Sequence, residues 1–414
     1  MVKLSHLELD TLMVQMGLLL LAARLLGEVA RRFKQPVVVG EILAGVLLGP
    51  TILGAISPDF FYKIFPVSGS TTLTLNAIAS LSAVMLLFIA GIEVELEMVW
   101  QEGRKALFTS FGGVVVPFAV GFGIAWFLPN LFEYYESYDR FLMPLFLGTA
   151  LSISALPVIA KTLMDLDIFK TRLGNLIIAS AMADDLFGWM MFSLIIARMG
   201  EGAGINLLTT LFLTLLFTFG MLTLGRILLD RSLTLVKKHF AWPGGVVAFA
   251  LSLCFLGAAF TEFIGIHAIF GAFIVGVALG DSRHLSMQAR EIIYQFVNNV
   301  FAPLFFATIG LKVNFVENFN LLLTLIVVFA SYFGKLVGCG LISYWSGFQW
   351  REAMAIGFGM NARGAMVIIL GLLALEHELI QTNLFVSLVI MALITSITSG
   401  PLMKYFLKPT PATR

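Results

Sequence analysis

The stretch GEILAGVLLGP at residues 40–50 recurs later in the chain as GAFIVGVALGD at residues 271–281. The three glycines of each copy keep the same spacing, and a second match follows both copies. GIEVEL at residues 91–96 corresponds to GLKVNF at residues 310–315. Glycine-rich packing patterns also recur by chance in helical bundles. Two matches in the same order nevertheless indicate an internal repeat, and this repeat decides the fold that we predict.

The composition around these motifs is that of a membrane protein. Of the 414 residues, 59% are hydrophobic and 12% are charged, whereas about 25% of the residues of a soluble domain are charged. The mean hydropathy of +0.95 comes from apolar runs along the whole chain, which indicate a polytopic membrane protein. The net charge of +1 gives no indication of a nucleic-acid partner. Both cysteines, Cys254 and Cys339, lie in apolar runs, so we predict neither a disulfide framework nor a cofactor.

Runs of about 20 mostly apolar residues mark transmembrane helices. We predict an all-α polytopic fold with thirteen such spans, at residues 9–30, 36–54, 73–92, 106–128, 141–164, 172–198, 205–229, 244–262, 267–281, 296–312, 321–345, 352–375 and 382–406. The loops after odd-numbered spans, together with the C-terminus, hold 18 Lys and Arg residues, whereas the N-terminus and the other loops hold 5. Since cytoplasmic loops are enriched in these residues, we predict a plasma- or inner-membrane protein with its N-terminus outside and its C-terminus in the cytoplasm.

The two repeat matches are each seven spans apart, so the second copy is predicted to be inverted in the membrane. Spans 1–6 and 8–13 form the repeats, and span 7 connects them. Inverted repeats are typical of alternating-access transporters, whose substrates bind at interrupted helices of the two halves. Spans 5 and 12 contain such interruptions, GTALSISALP at residues 148–157 and GFGMNARG at residues 357–364. For span 5 the alternative is an ordinary kink at Pro157.

Charges within the predicted spans are the main functional signal. Span 6 carries two adjacent carboxylates, Asp184 and Asp185, near its centre, and each costs roughly 2.5–3.5 kcal/mol at that depth. Adjacent helical positions diverge by about 100°, so the two side chains need separate partners. Lys335 of span 11 also needs an anionic partner or must lose its proton, and charge balance leads us to predict that it pairs with one aspartate. The other aspartate is then left to bind a cation or a proton.

An intramembrane enzyme is the alternative use of these acids. Metal catalysis would need clustered His, Cys or further carboxylate ligands, and the five histidines are not expected to form a pair. Intramembrane aspartyl proteolysis uses aspartates from two helices rather than neighbours on one helix. No nucleophile–base pair is evident, so we predict that the protein is not an enzyme. Glu41 in span 2 is a secondary candidate, as a gate or a snorkelling residue.

A carboxylate can hold a small monovalent cation or a proton, but hardly both. Competition for one group couples the two fluxes, because protonation releases the cation and cation binding releases the proton. Hard cations prefer oxygen ligands. Thr149, Ser152 and Ser154 of the interrupted span 5 can supply hydroxyl oxygens beside the carboxylates of Asp185 and Asp184. The sequence therefore predicts a monovalent-cation site at these residues.

Several motifs along the chain are shared with one family. They are residues 40–50, SISALPVIA at 152–160, ADD at 183–185, FGAF at 270–273, FF at 305–306 with GL at 310–311, and GMNARGA at 359–365. By these motifs the chain resembles the monovalent cation:proton antiporter-2 family, with its NhaA- and NapA-type sodium/proton antiporters and related Kef-type potassium/proton antiporters. The resemblance implies an NhaA-type inverted-repeat fold with crossed unwound helices, a homodimer surrounded by membrane lipid, and elevator-type alternating access. It also implies scaffold parts at residues 1–105 and 231–315, core transport parts at residues 106–200 and 316–414, and a connecting helix at residues 201–230.

Matched by position, the resemblance implies that Asp185 is the cation- and proton-binding residue and that Asp184 pairs with Lys335. It further implies that Arg363, Asn361 and Pro157 stabilise the unwound helices. The potassium-efflux branch typically has Gln–Asp in place of the double aspartate, so the resemblance favours Na⁺ over K⁺ or Li⁺, with two protons per cation.

Three alternatives to a sodium/proton antiporter remain open. They are a K⁺/H⁺ antiporter, a channel-like K⁺ efflux protein and a sodium-coupled organic anion symporter, the last with only Arg363 and Lys335 as donors for an anion. Many relatives carry a cytosolic nucleotide-binding domain after the membrane part. The last predicted span ends at residue 406 of 414, so we expect no such domain in this chain.

Overall fold

The computed structural model of the chain describes residues 5–33, 35–66, 68–94, 96–132, 140–169, 171–199, 207–265, 267–282 and 284–407. Every regular element within these ranges is a helix. The prediction of an all-helical chain is therefore confirmed.

The α-helices are numbered here in chain order. The first ten are α1 (His6–Arg32), α2 (Val37–Leu48), α3 (Leu53–Ile56), α4 (Pro58–Ile64), α5 (Ser70–Ile92), α6 (Leu96–Phe127), α7 (Leu142–Ser152), α8 (Leu156–Asp165), α9 (Arg172–Met199) and α10 (Leu207–Gly220). The second ten are α11 (Arg226–His239), α12 (Gly244–Phe263), α13 (Ala268–Gly280), α14 (Met287–Phe296), α15 (Ala302–Lys312), α16 (Leu321–Lys335), α17 (Ile342–Trp345), α18 (Trp350–Met360), α19 (Ala365–Glu376) and α20 (Thr382–Leu407). Three π-helical segments join α10 to α11, α14 to α15 and α16 to α17, namely Met221–Gly225, Val297–Phe301 and Leu336–Leu341.

Polar side chains satisfy the free backbone groups where several of these helices begin. At the start of α1, Ser5 N–H donates to Glu8 Oε2 at 2.7 Å, and Glu8 N–H donates to Ser5 Oγ at 3.3 Å. Ser286 caps α14 and Asn320 caps α16 through their side-chain oxygens. Between such ends the backbone pairs within each helix, because lipid offers no hydrogen bonds to an open peptide group.

Nine helices or continuous helical stretches within the described ranges are long and apolar enough to cross a membrane. They are His6–Arg32, Val37–Ile56, Ser70–Ile92, Phe108–Phe127, Phe212–His239, Gly244–Phe263, Met287–Lys312, Leu321–Trp345 and Thr382–Leu407. The pair α18 and α19, bent by 42°, makes a tenth if it is counted as one span. Predicted spans 5, 6 and 9 correspond to α7 with α8, to α9 and to α13. A multi-pass membrane protein is supported, while the count of thirteen stays a prediction.

The helices group into two compact units. Unit 1 comprises Met1–Glu93, Phe217–Ile264 and Ala268–Phe319, and unit 2 comprises Val94–Leu216, Gly265–His267 and Asn320–Arg414. Each unit is therefore built from both halves of the sequence.

In unit 1 the two copies of the glycine motif make matching contacts. α2 crosses α15 so closely at Gly45 that an added Cβ atom would overlap the α15 backbone and lie 2.9 Å from Gly310 Cα. α13 crosses α5 in the same way at Gly276, where a Cβ atom would overlap the α5 backbone and lie 3.1 Å from Gly91 Cα. Gly45 and Gly276 are equivalent in the first repeat match, and Gly310 and Gly91 are equivalent in the second. These paired crossings support the internal repeat.

The first glycine of each copy extends this correspondence. A Cβ atom on Gly40 would overlap the carbonyl oxygen of Leu26 in α1, and one on Gly271 would overlap the carbonyl oxygen of Gly257 in α12. The same offset of 231 positions takes residue 40 to 271 and residue 26 to 257. Helices α1 and α2 therefore pack in the same register as α12 and α13.

Unit 2 contains the two interrupted helices that the sequence predicts. α7 ends at Ser152 and α8 begins at Leu156, and α18 ends at Met360 and α19 begins at Ala365. The non-helical residues are thus 153–155 and 361–364. Backbone groups freed in this way are tolerated at membrane depth where they are buried in protein or line a site.

Candidate functional site

Two adjacent buried carboxylates lie at the centre of unit 2. Asp184 and Asp185 belong to α9, and their relative exposures are 0% and 1%. α9 is 28 residues long, and both acids are far from its ends. Carboxylates this deep are costly unless they are paired, protonated or bound to a cation.

Three side chains from other segments donate to the Asp184 carboxylate. Lys335 Nζ donates to Asp184 Oδ2 at 2.6 Å, and both side chains have no exposure to solvent. Ser110 Oγ of α6 donates to Asp184 Oδ1 at 2.8 Å, and Ser154 Oγ lies 3.1 Å from Oδ2. A buried ion pair is retained only when hydrogen bonds complete its coordination in this way. The structure thus brings together Lys335 and Asp184, the pair implied by position.

Glycines in α6 allow this ion pair to form. A Cβ atom on Gly113 would overlap Cys339 Sγ and would lie 3.5 Å from Asp184 Oδ2 and 3.6 Å from Lys335 Nζ. Cys339 belongs to the π-helical segment that follows Lys335. A π-turn widens the helix locally and is often found at functional sites. Lys335 can therefore approach α9 because α6 has no side chain at position 113.

Asp185 directly follows Asp184 on α9. Successive residues of an α-helix diverge by about 100°, so the Asp185 carboxyl does not share the setting of its neighbour. The Asp185 side chain is only 1% exposed. A second buried ionisable group therefore directly follows the aspartate of the ion pair in the sequence. Asp184 is thus engaged in an ion pair, and Asp185 is a second buried carboxyl group on the same helix.

Of the hydroxyl groups predicted as cation ligands, those of Thr149 and Ser152 lie on α7 and bond to backbone carbonyls, and that of Ser154 lies in the break that follows α7. Thr149 Oγ1 donates to Leu145 O at 2.8 Å, and Ser152 Oγ lies 2.8 Å from Gly148 O and 3.0 Å from Val114 O. Their protons are directed at carbonyl groups, and their oxygen lone pairs are still available to a cation. Ser154 differs, since it contacts the Asp184 carboxylate.

The two interruptions meet beside Asp184. Ala155 N–H donates to Ala362 O at 2.8 Å, which joins the non-helical residues of one interrupted helix to those of the other. Ser154 Oγ also lies 2.9 Å from Met360 O. A serine has a single hydroxyl proton, so Ser154 divides it between this carbonyl and Asp184. The ion pair and the crossing of the broken helices are therefore linked through one side chain.

Arg363 satisfies the carbonyl end of the half-helix α7. Its guanidinium donates to Ala150 O at 2.9 Å and Ile153 O at 2.8 Å, and also to Leu151 O. Its Nε donates to Ser331 Oγ at 2.8 Å. The last carbonyls of a helix carry partial negative charge, so this cation neutralises a helix end buried in unit 2. The hydrogen bonds described for its guanidinium go to carbonyl and hydroxyl groups.

Asn361 and Pro157 complete the residues predicted to stabilise the breaks. Asn361 is buried, and its Oδ1 accepts from Ser331 Oγ at 2.9 Å, so Ser331 connects it to Arg363. Pro157 occupies the first turn of α8, where its missing N–H costs nothing. The side chain of Pro157 lies outside the described residues.

The structure also locates Glu41 and two of the histidines. Glu41, the secondary candidate, lies in α2 of unit 1 with 4% exposure. The expectation that no histidines pair was wrong for His267 and His377, whose ring centroids are 6.5 Å apart in a T-shaped contact. The two residues are 110 positions apart, and only the folding of unit 2 brings their rings together.

Sequence reasoning missed Ser110 and Ser331, which contact Asp184 and Arg363 respectively. Isolated serines within apolar spans are common, so neither residue carries a signal of its own. A usable signal for Ser110 was the pair of glycines at positions 112 and 113, because small residues in a span mark close helix packing.

Comparison with known proteins assigns the family. The family model described as sodium/hydrogen exchanger, transmembrane, matches residues 17–408, almost the whole chain. The chain belongs to the sodium/hydrogen exchanger family. Within this exchanger family, the Na⁺/H⁺ antiporter NhaS4 of Synechocystis is 32% identical over 395 residues, covering 94% of this chain and 95% of the relative. Cation/H⁺ antiporter 17 of Arabidopsis thaliana is 31% identical over 417 residues, covering 98% of this chain and 49% of the relative.

The chain spans about half the length of the plant relative, of which the match covers 49%. A solved structure of the sodium proton antiporter MjNhaP1 from Methanocaldococcus jannaschii at pH 8 matches with a TM-score of 0.64 and 17% identity. The match covers 95% of this chain and 96% of the other. It shows that the chain shares its fold with that antiporter.

Proposed function

We propose that the chain is a secondary active antiporter that exchanges a monovalent cation for protons, with Na⁺ favoured and K⁺ or Li⁺ as alternatives. One observation carries the proposal: the buried acid Asp185 directly follows Asp184, which is held in a buried ion pair with Lys335. Membership of the sodium/hydrogen exchanger family and the names of the two relatives support the same activity.

Competition at Asp185 couples the two fluxes. A cation bound by the carboxylate displaces the proton, and a proton bound there removes the charge that holds the cation. Thr149 and Ser152 of the interrupted helix supply hydroxyl oxygens, and the carbonyls freed near residues 153–155 supply further oxygen ligands, as hard monovalent cations prefer.

The ion pair provides a second proton. Lys335 is charged while it donates to Asp184, and an amine in this dry setting can release its proton when its counter-ion is drawn to an arriving cation. Release from both Asp185 and Lys335 gives two protons per cation, and exchange is then electrogenic. If Lys335 keeps its proton throughout, exchange is electroneutral.

Transport proceeds by elevator-type alternating access in an NhaA-type fold of thirteen spans. Unit 2, which contains the site, is the moving core, and unit 1 is the scaffold. The grouping of the helices into two units and the match to the MjNhaP1 structure support this division. The protein works as a homodimer in the lipid bilayer, with its N-terminus outside and its C-terminus in the cytoplasm.

The deciding experiment uses the purified chain in liposomes that enclose a pH dye. A proton gradient is imposed, and Na⁺, Li⁺ or K⁺ is added to one side. We expect Na⁺ to collapse the gradient, and K⁺ to do so if the protein is a K⁺/H⁺ antiporter. A channel-like K⁺ pathway instead gives K⁺ flux without proton movement. If no cation moves protons, the antiport proposal is wrong.

Asp185→Asn is the matched variant for the site. It removes the exchangeable charge and keeps the shape of the side chain, so exchange should be abolished. Asp59→Asn, a change at an exposed acid of α4 in unit 1, should leave exchange intact. Exchange that survives in Asp185→Asn would contradict the assignment of this residue.

A further inference from the structure

One buried acid of unit 1 has no part in the proposed exchange site. Glu41 lies in α2 with 4% exposure, and within the described part of the chain no hydrogen bond reaches its carboxyl group. Its side chain packs over Gly27 of α1, where an added Cβ atom would lie 3.8 Å from Glu41 Cγ. Burial of a carboxylate without donors is costly, so this group is either protonated or able to recruit a partner.

The internal repeat shows that the fold does not require an acid at this place. The offset of 231 positions that relates Gly40 to Gly271 relates Glu41 to Ala272. Ala272 has 0% exposure in α13, so the equivalent packing position accepts a methyl group. The carboxyl of Glu41 therefore has a purpose other than packing.

The base nearest in sequence to the contact of Glu41 with Gly27, Arg24, also has no basic counterpart in the second copy of the repeat. Arg24 lies three residues before Gly27, on the face of α1 that meets α2. The same offset matches Arg24 to Phe255 of α12. An acid and a base in one half of unit 1 thus correspond to an alanine and a phenylalanine in the other half.

Arg24 already has another partner in the present arrangement. Its Nη1 donates to Asn299 Oδ1 at 3.1 Å. Asn299 lies in the π-helical segment Val297–Phe301, and its Nδ2 donates to Gln295 O at 2.7 Å. No ion pair joins Arg24 to Glu41 among the contacts of the described residues.

The other charges around Glu41 do not compete with Arg24. α2 packs against α1, α3 and α15. On α1, Glu28 is paired with Arg31 at 2.7 Å, and α3 carries no charged residue. The charged end of α15, Lys312, directly precedes Val313, whose carbonyl accepts from Thr51 Oγ1 at 3.3 Å. Thr51 lies beyond Leu48, the last residue of α2, whereas Glu41 lies in the first half of that helix.

We propose that Glu41 is a second proton-binding site, separate from the aspartates, in which Arg24 exchanges Asn299 for the Glu41 carboxylate when the proton leaves. The proton passes to water, the charged carboxylate accepts the guanidinium, and the Asn299 amide is released. The contact between α1 and the π-helical segment is thereby replaced by a contact between α1 and α2. Packing in unit 1 then depends on pH.

The first test does not need transport. Thermal unfolding of the full-length protein in detergent is measured from about pH 5 to about pH 9 for wild type, Glu41→Gln and Glu41→Ala, because a group that titrates only in the folded state makes stability pH-dependent. The difference in melting temperature between wild type and each variant should change across this range. Ala272 indicates that the alanine variant folds. Differences that stay constant with pH would overturn the proposal.

Two further variants locate the counter-ion. Arg24→Leu should move the midpoint of the pH-dependent difference upward by about one pH unit, because an opposite charge favours the ionised carboxylate. An unchanged midpoint would show that Arg24 is not the partner. Glu28→Gln, at a partly exposed acid on α1, should give a difference that does not vary over this range.

The effect on transport rests on the proposed antiport. In liposomes, Glu41→Gln should shift the pH of half-maximal exchange, and Glu28→Gln should not. An unshifted profile together with constant melting differences would overturn the Glu41 site and leave antiport standing. If wild type exchanges nothing while the melting differences still vary with pH, antiport is wrong and the proton site stands.

Discussion

Lys335 and Asp184, 151 positions apart in sequence, form a 2.6 Å ion pair in which neither side chain is exposed. The pair joins the end of α16 to the middle of α9. Two serines complete the coordination of the carboxylate, so the charges are compensated inside the protein rather than by lipid or water. Its consequences can be measured.

Lys335→Ala should destabilise the protein strongly. Loss of one partner of a buried ion pair leaves an uncompensated charge and costs about 3–5 kcal/mol. The melting temperature of the purified protein should fall, and the charge moved per cation in liposomes should decrease. The double variant Lys335→Ala/Asp184→Ala should be more stable than the sum of the single changes predicts. Additive effects would mean that the two residues do not interact.

Gly113→Ala should disturb the same pair without removing either charge. The new Cβ atom would overlap Cys339 Sγ and approach Asp184 Oδ2 to 3.5 Å. Overpacking of this kind costs typically about 1–3 kcal/mol, and exchange should fall with stability.

The matched control for Gly113→Ala is Gly123→Ala on the same helix. A Cβ atom on Gly123 meets nothing within 4 Å, so this variant should melt at or above the wild-type temperature. Equal behaviour of the two variants would contradict the close approach of α6 to the ion pair.

Arg363→Lys should weaken unit 2 although it keeps the positive charge. An ammonium cannot reproduce the planar fork that serves Ala150, Leu151 and Ile153. Each lost hydrogen bond to a charged group costs about 1.5–3 kcal/mol, so the melting temperature should fall. Arg31→Lys, at a side chain 60% exposed, should have little effect. Wild-type stability of Arg363→Lys would mean that charge alone supports the broken helix.

Gly45→Ala and Gly276→Ala should have similar effects, because the two glycines occupy equivalent crossings. Each added methyl group would strike the backbone of the facing helix, and backbone cannot move aside as a flexible side chain can. Thermal melting of both variants tests the repeat. Gly17→Ala on α1, where nothing lies within 4 Å, is the control. A large loss in one crossing and none in the other would contradict the equivalence.

Much of the fold was predictable because the signals are local. Apolar runs predict spanning helices by the free energy of transfer into lipid, and the motifs at residues 40–50 and 271–281 reveal the repeat without any structure. The breaks at residues 153–155 and 361–364 fall inside the predicted interruptions, since glycine and proline weaken helices wherever they stand. The lengths of helices were less predictable. The helix predicted at residues 205–229 extends to His239. The prediction ended too early because the last part of this helix is amphipathic, and its charged residues interrupt the apolar run.

The sequence by itself determined which groups are expensive in a membrane: Asp184, Asp185, Lys335 and Arg363 stand out from residue type and position alone. Charge balance favoured a pairing of Lys335 with one of the two aspartates. Only the tertiary structure decided the details of that meeting: the serines that join it, the glycine that makes room for it, and the carbonyl groups that take up Arg363. The physical reason is that a residue's cost in lipid is a property of the residue, whereas its compensation depends on groups brought within about 3 Å by packing of distant segments.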